Sequence, residues 1–346
     1  MNNRIKILII RRSALGDTIH TLPLLTALKN RYPESQIDWV VDEKSSRFLI
    51  NHPLLNQVYI LRKTGSTFVD FIKTIFAIRS QKYDIAIDTQ QLLKSAVVMA
   101  LSGAKRKITL SDGREFSYLF ANEIIKSPRK QFDIHYHVVE RNLEIAEYLD
   151  AKTDNPEFVL PPLLESSKIK AEFILEKLDK SKKTVILAPE TTWKNKHWTE
   201  NGWRDLIKYL KGRVNIVYTG TNNDNGLSER ILEGFENDVI NLKGKTSLDD
   251  MRAIFYYADL LISPDSGTAH IAWAENKCPV ITLFFATSGE RTAPFGEKYE
   301  FVQAKCGCSP CMKRNCQLKE EKFLCTEKIN SKEIVKIINK YLQFEE

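Results

Sequence analysis

The sequence has no apolar run long enough to cross a membrane. Its longest runs, such as Ala96–Leu101, fall far short of the about 18 residues a span requires. No signal-peptide pattern is present either, because the stretch Ile5–Ile10 is broken by Lys6 and stopped by Arg11 and Arg12. The expectation is a cytoplasmic chain whose six cysteines are reduced thiols or metal ligands, not disulfides. There is no repeat at a fixed short period and no low-complexity segment. With 43% hydrophobic and 27% charged residues, collagen-like and disordered classes are excluded. Charge of one sign is scarce: the excess is only +7, which suits acidic small ligands or an anionic surface without demanding nucleic acid. The 17 Phe, 12 Tyr and 5 Trp fall at core spacings and do not interleave with basic residues, so no nucleic-acid partner is expected.

What is present is alternation. The 346 residues correspond to two domains at about 150 residues each. Ile5–Ile10 reads as a buried parallel strand, followed by the turn Ser13–Asp17 and a helix to about Tyr32, with Pro23 in its first turn. Gln36–Val41, Val58–Leu61 and Asp84–Asp88 read as strands, and Phe68–Ser80 and Leu92–Leu101 as helices. Asn155–Pro162, with three prolines, reads as a linker. The pattern restarts with strands at Thr184–Leu187, Val214–Tyr218, Val239–Leu242, Leu260–Ser263 and Val280–Phe284. Trp203, Leu206, Ile207 and Leu210 mark an intervening helix, and Ile334, Ile337, Ile338, Tyr341 and Leu342 a final amphipathic one, with Asn330 and Glu333 as a capping box. Alternation of this kind implies parallel sheets covered on both faces, and two such halves imply Rossmann-like domains with ligands at the carboxyl ends of the strands.

Four segments carry candidate chemistry. Arg11–Asp17 lies at a strand-to-helix handover and has one glycine where a dinucleotide fingerprint needs three, which argues against a nicotinamide oxidoreductase. Its Asp17 also fits an ordinary helix N-cap. Thr191–Trp198 offers two hydroxyls and two lysines after a strand, able to hold a diphosphate, although a basic loop with Trp198 in the core fits as well. Ser263–His270 joins small hydroxyl residues and Gly267 to a helix N-terminus, an anion site or a well-capped turn. There Asp265 would repel phosphate, so it bonds a sugar hydroxyl or braces the loop. Cys308 and Cys311 have metal-ligand spacing, and Cys316 and Cys325 could complete a zinc site, but the paired C-x-x-C form is missing.

Taken together these segments resemble the lipopolysaccharide heptosyltransferases of glycosyltransferase family nine. The resemblance rests on Ser13–Pro23, on Asp88-Thr89-Gln90 with Lys94-Ser95, and on Arg114-Glu115 and His137–Arg141. In the second half it rests on Thr191-Thr192 with Lys196-His197-Trp198, and on Asp265–His270. It implies a GT-B fold, two Rossmann-like domains facing across a cleft, with an acceptor domain over 1–160, a nucleotide-sugar domain over 161–329 and a helix over 330–346 returning to the first domain. It implies inverting transfer of heptose from ADP-L-glycero-D-manno-heptose to the lipopolysaccharide inner core, with no cofactor and no metal. Asp17 matches the general base. Thr191, Thr192, Lys196, Thr246, Asp265, Ser266, Gly267, Thr268 and His270 match the donor side. For a Kdo- or heptose-bearing lipid-linked acceptor the candidates are Arg11, Ser13, Lys94, Arg114, His137 and Arg141, whose charges also fit ordinary surface or interdomain pairs. Peripheral, salt-sensitive contact with the inner face of the membrane follows from an acceptor of that kind. Gln91 and Asn222 depart from residues common in the family, Gly and Glu respectively. The alternatives are a same-fold transferase with another nucleotide sugar and acceptor, or a non-catalytic nucleotide-sugar-binding protein.

Overall fold

The computed structural model describes residues 4–62, 68–130 and 133–344. The chain divides into two compact units, Met1–Pro162 and Leu163–Glu346. The first holds strands β1 (Lys6–Ile10), β2 (Gln36–Asp42), β3 (Gln57–Leu61), β4 (Ile85–Asp88), β5 (Arg106–Leu110) and β6 (Glu123–Ile125). Its helices are α1 (Leu15–Ile19), α2 (Leu22–Arg31), α3 (Phe68–Ser80), α4 (Leu93–Leu101) and α5 (Val138–Tyr148). The second holds β7 (Thr184–Leu187), β8 (Asn215–Tyr218), β9 (Val239–Asn241), β10 (Leu260–Pro264), β11 (Val280–Phe284) and β12 (Tyr299–Gln303). Its helices are α6 (Glu165–Leu175), α7 (Glu200–Leu210), α8 (Leu227–Leu232), α9 (Leu248–Phe255), α10 (Gly267–Glu275), α11 (Gly289–Thr292) and α12 (Ser331–Leu342).

Among the described residues the strands form two six-stranded sheets, ordered β3-β2-β1-β4-β5-β6 and β12-β11-β10-β7-β8-β9, with parallel pairing throughout. Read from the far edge, the second order repeats the first. In each unit the strand order reverses beside the first strand, between β1 and β4 and between β7 and β10. The central strands read as unbroken apolar runs because helices cover both their faces: β4, β7, β10 and β11 are buried along their whole length. The strands absent from the sequence reading, β5, β6 and β12, lie at or next to sheet edges and carry Arg106, Lys107, Glu123 and Glu300.

Two helices lie between the turn and Tyr32 where one was expected, and Pro23 sits in the first turn of the second, as expected. Pro23 has no N–H to donate to Ile19, and its ring would crowd that carbonyl, so the chain breaks at His20 and Thr21. The break is bridged from α5, where Asn142 donates to His20 O at 3.0 Å and Thr21 Oγ1 at 3.3 Å.

The last helix is a correction to the expected return to the first domain. Its apolar stripe, Ile334, Ile338 and Leu342, is taken up by the core of the second unit with Trp203, Leu206 and Leu210 of α7. Tyr209 Oη donates to Asn339 Oδ1 at 2.7 Å across the same contact. Asn330 caps the helix through the Lys332 N–H at 2.9 Å, one position short of a capping box with Glu333.

Trp198 is buried in this core, donates through Nε1 to Ile329 O at 3.1 Å, and lies flat on Gly202 of α7. A Cβ on Gly202 would sit 2.3 Å from the indole. Gly202→Ala gains about 1 kcal/mol of helix propensity but forces overpacking worth about 1–3 kcal/mol. Crowding of the rigid indole wins, and urea unfolding should show a net loss of up to about 2 kcal/mol.

Candidate active site

Polar clusters occupy the switch point of each unit, where open α/β sheets leave a crevice beyond the strand ends. In the first unit, Arg11 leaves β1 buried, donates to Thr89 O at 2.5 Å and pairs with Asp17 Oδ2 at 2.9 Å. The same Oδ2 accepts the Ala14 N–H at 3.0 Å. Asp17 therefore closes the start of α1 from the helix's third position, with Ala14 as the capping residue. Its carboxylate is 40% exposed, and among the described residues Oδ1 carries no hydrogen bond. The site thus holds one carboxylate oxygen fixed in direction and one open to a ligand.

Beside it, Ser13 Oγ accepts from Gln90 Nε2 and Lys94 Nζ, both at 3.2 Å. Lys94 Nζ lies 3.8 Å from Asp42 Oδ2, and Asp42 Oδ1 accepts from Arg12 Nε at 2.9 Å. Buried Asp88 ends β4 and accepts the Gln90 and Gln91 N–H groups and the Ser95 hydroxyl at 2.9–3.1 Å. Burial pushes its carboxyl up to about 6 even against those bonds. Gln91 follows with φ 58, a left-handed conformation that glycine adopts freely. Here the side chain returns something for the strain: its Oε1 accepts from Arg141 at 3.0 Å.

The remaining acceptor candidates are placed differently. Arg141 is buried and ion-paired with Asp112 as well as bonded to Gln91. His137 caps α5, accepting the Val139 N–H on Nδ1 at 3.2 Å, and its ring meets His20 edge-on at 6.1 Å. Arg114 is exposed and ties its N–H to Gln91 O at 3.0 Å. The structure thus gathers Arg11, Ser13 and Lys94 around Asp17, and sets Arg114, His137 and Arg141 behind or beside that cluster.

In the second unit the organising group is Asp265, buried at the end of β10. Lys196 Nζ lies 2.6 Å from Oδ2, Thr287 Oγ1 donates to the same oxygen at 2.6 Å, and His270 Nε2 lies 3.2 Å from Oδ1. Burial by itself would raise the Asp265 pKa, but Lys196 and His270 outweigh it and hold the carboxyl far below the usual carboxylate range. Thr191 Oγ1 donates to Asp265 O at 3.1 Å, and His197 Nε2 donates to Thr191 O at 2.9 Å, with burial lowering the His197 pKa. Lys196 also lies over the Trp193 ring, 4.6 Å from its centroid.

Ser266 is the extended N-cap of α10, its hydroxyl 2.9 Å from that of Ser263. The first N–H groups of α10, from Gly267 to Ala269, have no carbonyl a turn earlier in the helix, and the dipole favours an anion there. Ser266, Gly267 and Thr268 are half-exposed around the buried anchor, Thr192 is exposed, and Thr246 is half-buried directly before Ser247, the N-cap of α9. Ser263 and Gln90, quoted in the sequence motifs, belong to these clusters, and so do Thr287 and Asp42, which were not singled out from the sequence. Glu190, at the end of the β7 loop, accepts the N–H and hydroxyl of Thr221, each at 2.8 Å, and burial raises its carboxyl.

The zinc candidates are drawn to different partners. Among the described residues no three potential ligands come together in a metal-binding group. Cys325 lies in the apolar core, Cys316 Sγ accepts the Phe323 N–H at 3.4 Å, Cys311 Sγ faces Ala286 O at 3.8 Å, and Cys308 lies 3.5 Å from Cys306. The spacing is right but the backbone sends the sulfurs to different partners.

Two units with this strand order, each with a polar cluster at its switch point, define a two-domain α/β protein of the GT-B fold class. Residues 72–322 match the model of glycosyltransferase family 9 (heptosyltransferase), and the chain belongs to that family. It is 29% identical over 319 residues to lipopolysaccharide heptosyltransferase 1 of Salmonella typhimurium, covering 88% of this chain and 94% of that one. A family 9 glycosyltransferase from Veillonella parvula shares the fold with a TM-score of 0.81 at 19% identity, covering 99% of both chains. So does the E. coli heptosyltransferase WaaC solved with ADP-2-deoxy-2-fluoro heptose, with a TM-score of 0.69 at 23% identity over 97% of this chain and 99% of that one.

Removing the charge of Asp265 leaves Lys196 and His270 facing a neutral amide. Asp265→Asn is expected to lose about 3 kcal/mol of stability at neutral pH, as for other broken buried pairs. Because the folded pKa is depressed, the wild type's advantage is complete above the unfolded carboxyl value of about 4 and shrinks as pH falls below it. Denaturant titrations of both proteins across that range should show the gap closing on the acid side.

Proposed function

We propose that the chain transfers heptose from ADP-L-glycero-D-manno-heptose to the inner core of lipopolysaccharide, with inversion at the anomeric carbon. What carries this reading is that a heptosyltransferase-family chain has an open Asp17 oxygen at the switch point of its first unit and, in its second unit, Lys196 beside the α10 N-terminus. The likeness to WaaC, whose structure holds an ADP-heptose analogue, supports the donor. The curated relatives named for lipopolysaccharide heptosyl transfer support the acceptor.

On this reading the acceptor hydroxyl attacks the anomeric carbon as its proton passes to Asp17 Oδ1. The bond from that carbon to the diphosphate oxygen breaks, and ADP leaves with the electron pair. Arg11 and the Ala14 N–H hold Oδ2, so the accepting oxygen keeps its direction. Lys196 has ammonium hydrogens beyond the one given to Asp265, and these with the Ser266, Gly267 and Thr268 edge of α10 receive the departing diphosphate. Thr191, Thr192 and Thr246 line the donor side, and His270 acts through Asp265. Ser13 and Lys94, with Arg114 farther out, meet the acidic sugars of a Kdo- or heptose-bearing acceptor, while Arg141 and His137 hold the wall behind them. No helix among the described residues is long and apolar enough to cross a membrane. We take the enzyme to be cytoplasmic and to work at the inner membrane face through peripheral contact.

Asp17→Asn should retain ADP binding and lose transfer by about 10²–10⁴-fold, the usual contribution of a general base. Melting with saturating ADP, UDP, GDP and CDP reads the donor separately, since a ligand at one hundred times its Kd adds about 2.7 kcal/mol. A shift with another nucleotide in place of ADP would refute the donor assignment, and full transfer by Asp17→Asn would refute the base.

A further inference from the structure

In the first unit, α3, α4 and the turn Ser117–Phe120 cover one face of the sheet: Ile75, Ile78, Val98 and Met99, with Phe120, pack against Leu8, Ile10 and Ala86. The outer side of that same layer is apolar as well. On α3, Phe68 and Phe76 are 77% and 66% exposed, and Lys73 lies three positions before Phe76 on the same side. Beside Arg114, Phe116 and Leu119 are 69% and 68% exposed. Leu93 is exposed at the start of α4, next to Lys94. Large apolar side chains turned outward in one layer mark a binding surface.

Two features show that Phe116 is held out rather than left out. Glu115 and Phe116 are consecutive non-glycine residues with φ 55, a left-handed conformation that is strained for both. The Glu115 carboxylate is tied down by the Leu93 N–H at 2.9 Å, which fixes the turn on α4. The charges identify the partner. Lys73 and Arg79 have no acidic partner among the described residues, and lysine is depleted in protein interfaces but favoured beside anionic lipid. Helix α6 also exposes Ile169 and Phe173, but there Glu165, Glu172 and Glu176 offset Lys168, Lys170 and Lys177, leaving no net positive charge to meet an anionic surface. The apolar face is continuous with the acceptor-side cluster, since Leu93 adjoins Lys94, which meets Ser13 Oγ, and Phe116 follows Arg114 closely.

We propose that this face, formed by Phe68 and Phe76 on α3, Leu93 on α4, and Phe116 and Leu119 beside Arg114, docks on the anionic surface of a lipid bilayer. The acyl part of the acceptor then stays in the bilayer while its sugars reach Ser13, Lys94 and Asp17. The proposal rests on the lipid-linked acceptor read above, and its test separates the two.

The full-length protein is co-sedimented with phosphatidylglycerol/phosphatidylethanolamine vesicles and with phosphatidylcholine vesicles. Transfer is measured in parallel on an acceptor oligosaccharide stripped of acyl chains. Wild type is expected to prefer the anionic vesicles. Phe76→Asp/Leu119→Asp should weaken vesicle binding about tenfold or more while keeping its melting temperature and its transfer to the soluble acceptor. Ile169→Asp/Phe173→Asp on α6 should bind as wild type does. Equal vesicle binding by wild type and Phe76→Asp/Leu119→Asp overturns the docking face. So does a change of oligomeric state in that variant with vesicle binding intact, which would make the face a contact between copies. Loss of docking in the variant, with wild type inactive on the soluble acceptor, supports the face and refutes the acceptor reading alone.

Discussion

A carboxylate almost sealed from water, Asp265, is what the ligand side of the second unit hangs on. An isolated buried carboxylate is untenable, so its partners are obligatory. They come from three places in the chain: Lys196 after β7, His270 within α10, and Thr287 after β11. Satisfying one group therefore fixes three loop conformations, and with them the N-terminus of α10 and the direction of the Lys196 ammonium. On the proposed function, the order needed to meet a diphosphate is established on folding and does not have to be created when the ligand arrives.

The first unit uses the same topology with its acids divided differently. Asp88 and Asp42 are buried and do the positioning, Asp88 by gathering the turn Gln90–Ser95 and Asp42 by holding Arg12 and facing Lys94. Asp17 is left partly in water with one oxygen uncommitted. A structural acid is buried among its partners, whereas an acid that takes a proton must keep one oxygen within reach of a ligand. Gln91 shows how tightly the buried set is coupled: its left-handed backbone is tolerated because its amide oxygen meets Arg141, itself paired with Asp112. A glycine there would remove the strain and the contact together.

Much of this was legible in the residues. Continuous apolar runs gave away the central strands, and the segments after β1, β7 and β10 stood out because polar residues follow such runs abruptly. The bracing alternative for Asp265 was readable from its sign, since a carboxylate does not belong against phosphate. The edge strands β6 and β12 were not legible, because half their surface is polar and three residues such as Glu123–Ile125 carry no period, whereas β3 and β9, also at edges, showed as short apolar runs. Thr287 was invisible for another reason: a threonine after β11 has no signature until the sheet brings it to Asp265. Arg141 and His137 were recognisable as motif residues, but whether a cation serves the ligand or the fold depends on burial, which no spacing reports. The last helix was legible as amphipathic, yet a stripe of Ile334, Ile338 and Leu342 does not say which core receives it.

The Lys196–Asp265 pair also bears on what kind of anion the second unit favours. A lone lysine would attract any phosphate in the ground state as strongly as in the transition state, which improves binding without speeding transfer. Paired at 2.6 Å, the two charges cancel at a distance, and the long-range pull on a bound donor is small. What remains is directional: the spare ammonium hydrogens and the first N–H groups of α10, fixed dipoles that gain most when negative charge appears next to them. On the proposed function, such charge appears on the diphosphate as the sugar bond breaks. A neutralised cation on a rigid mount therefore responds to the change in charge more than to the charge itself, and that difference is what lowers a barrier.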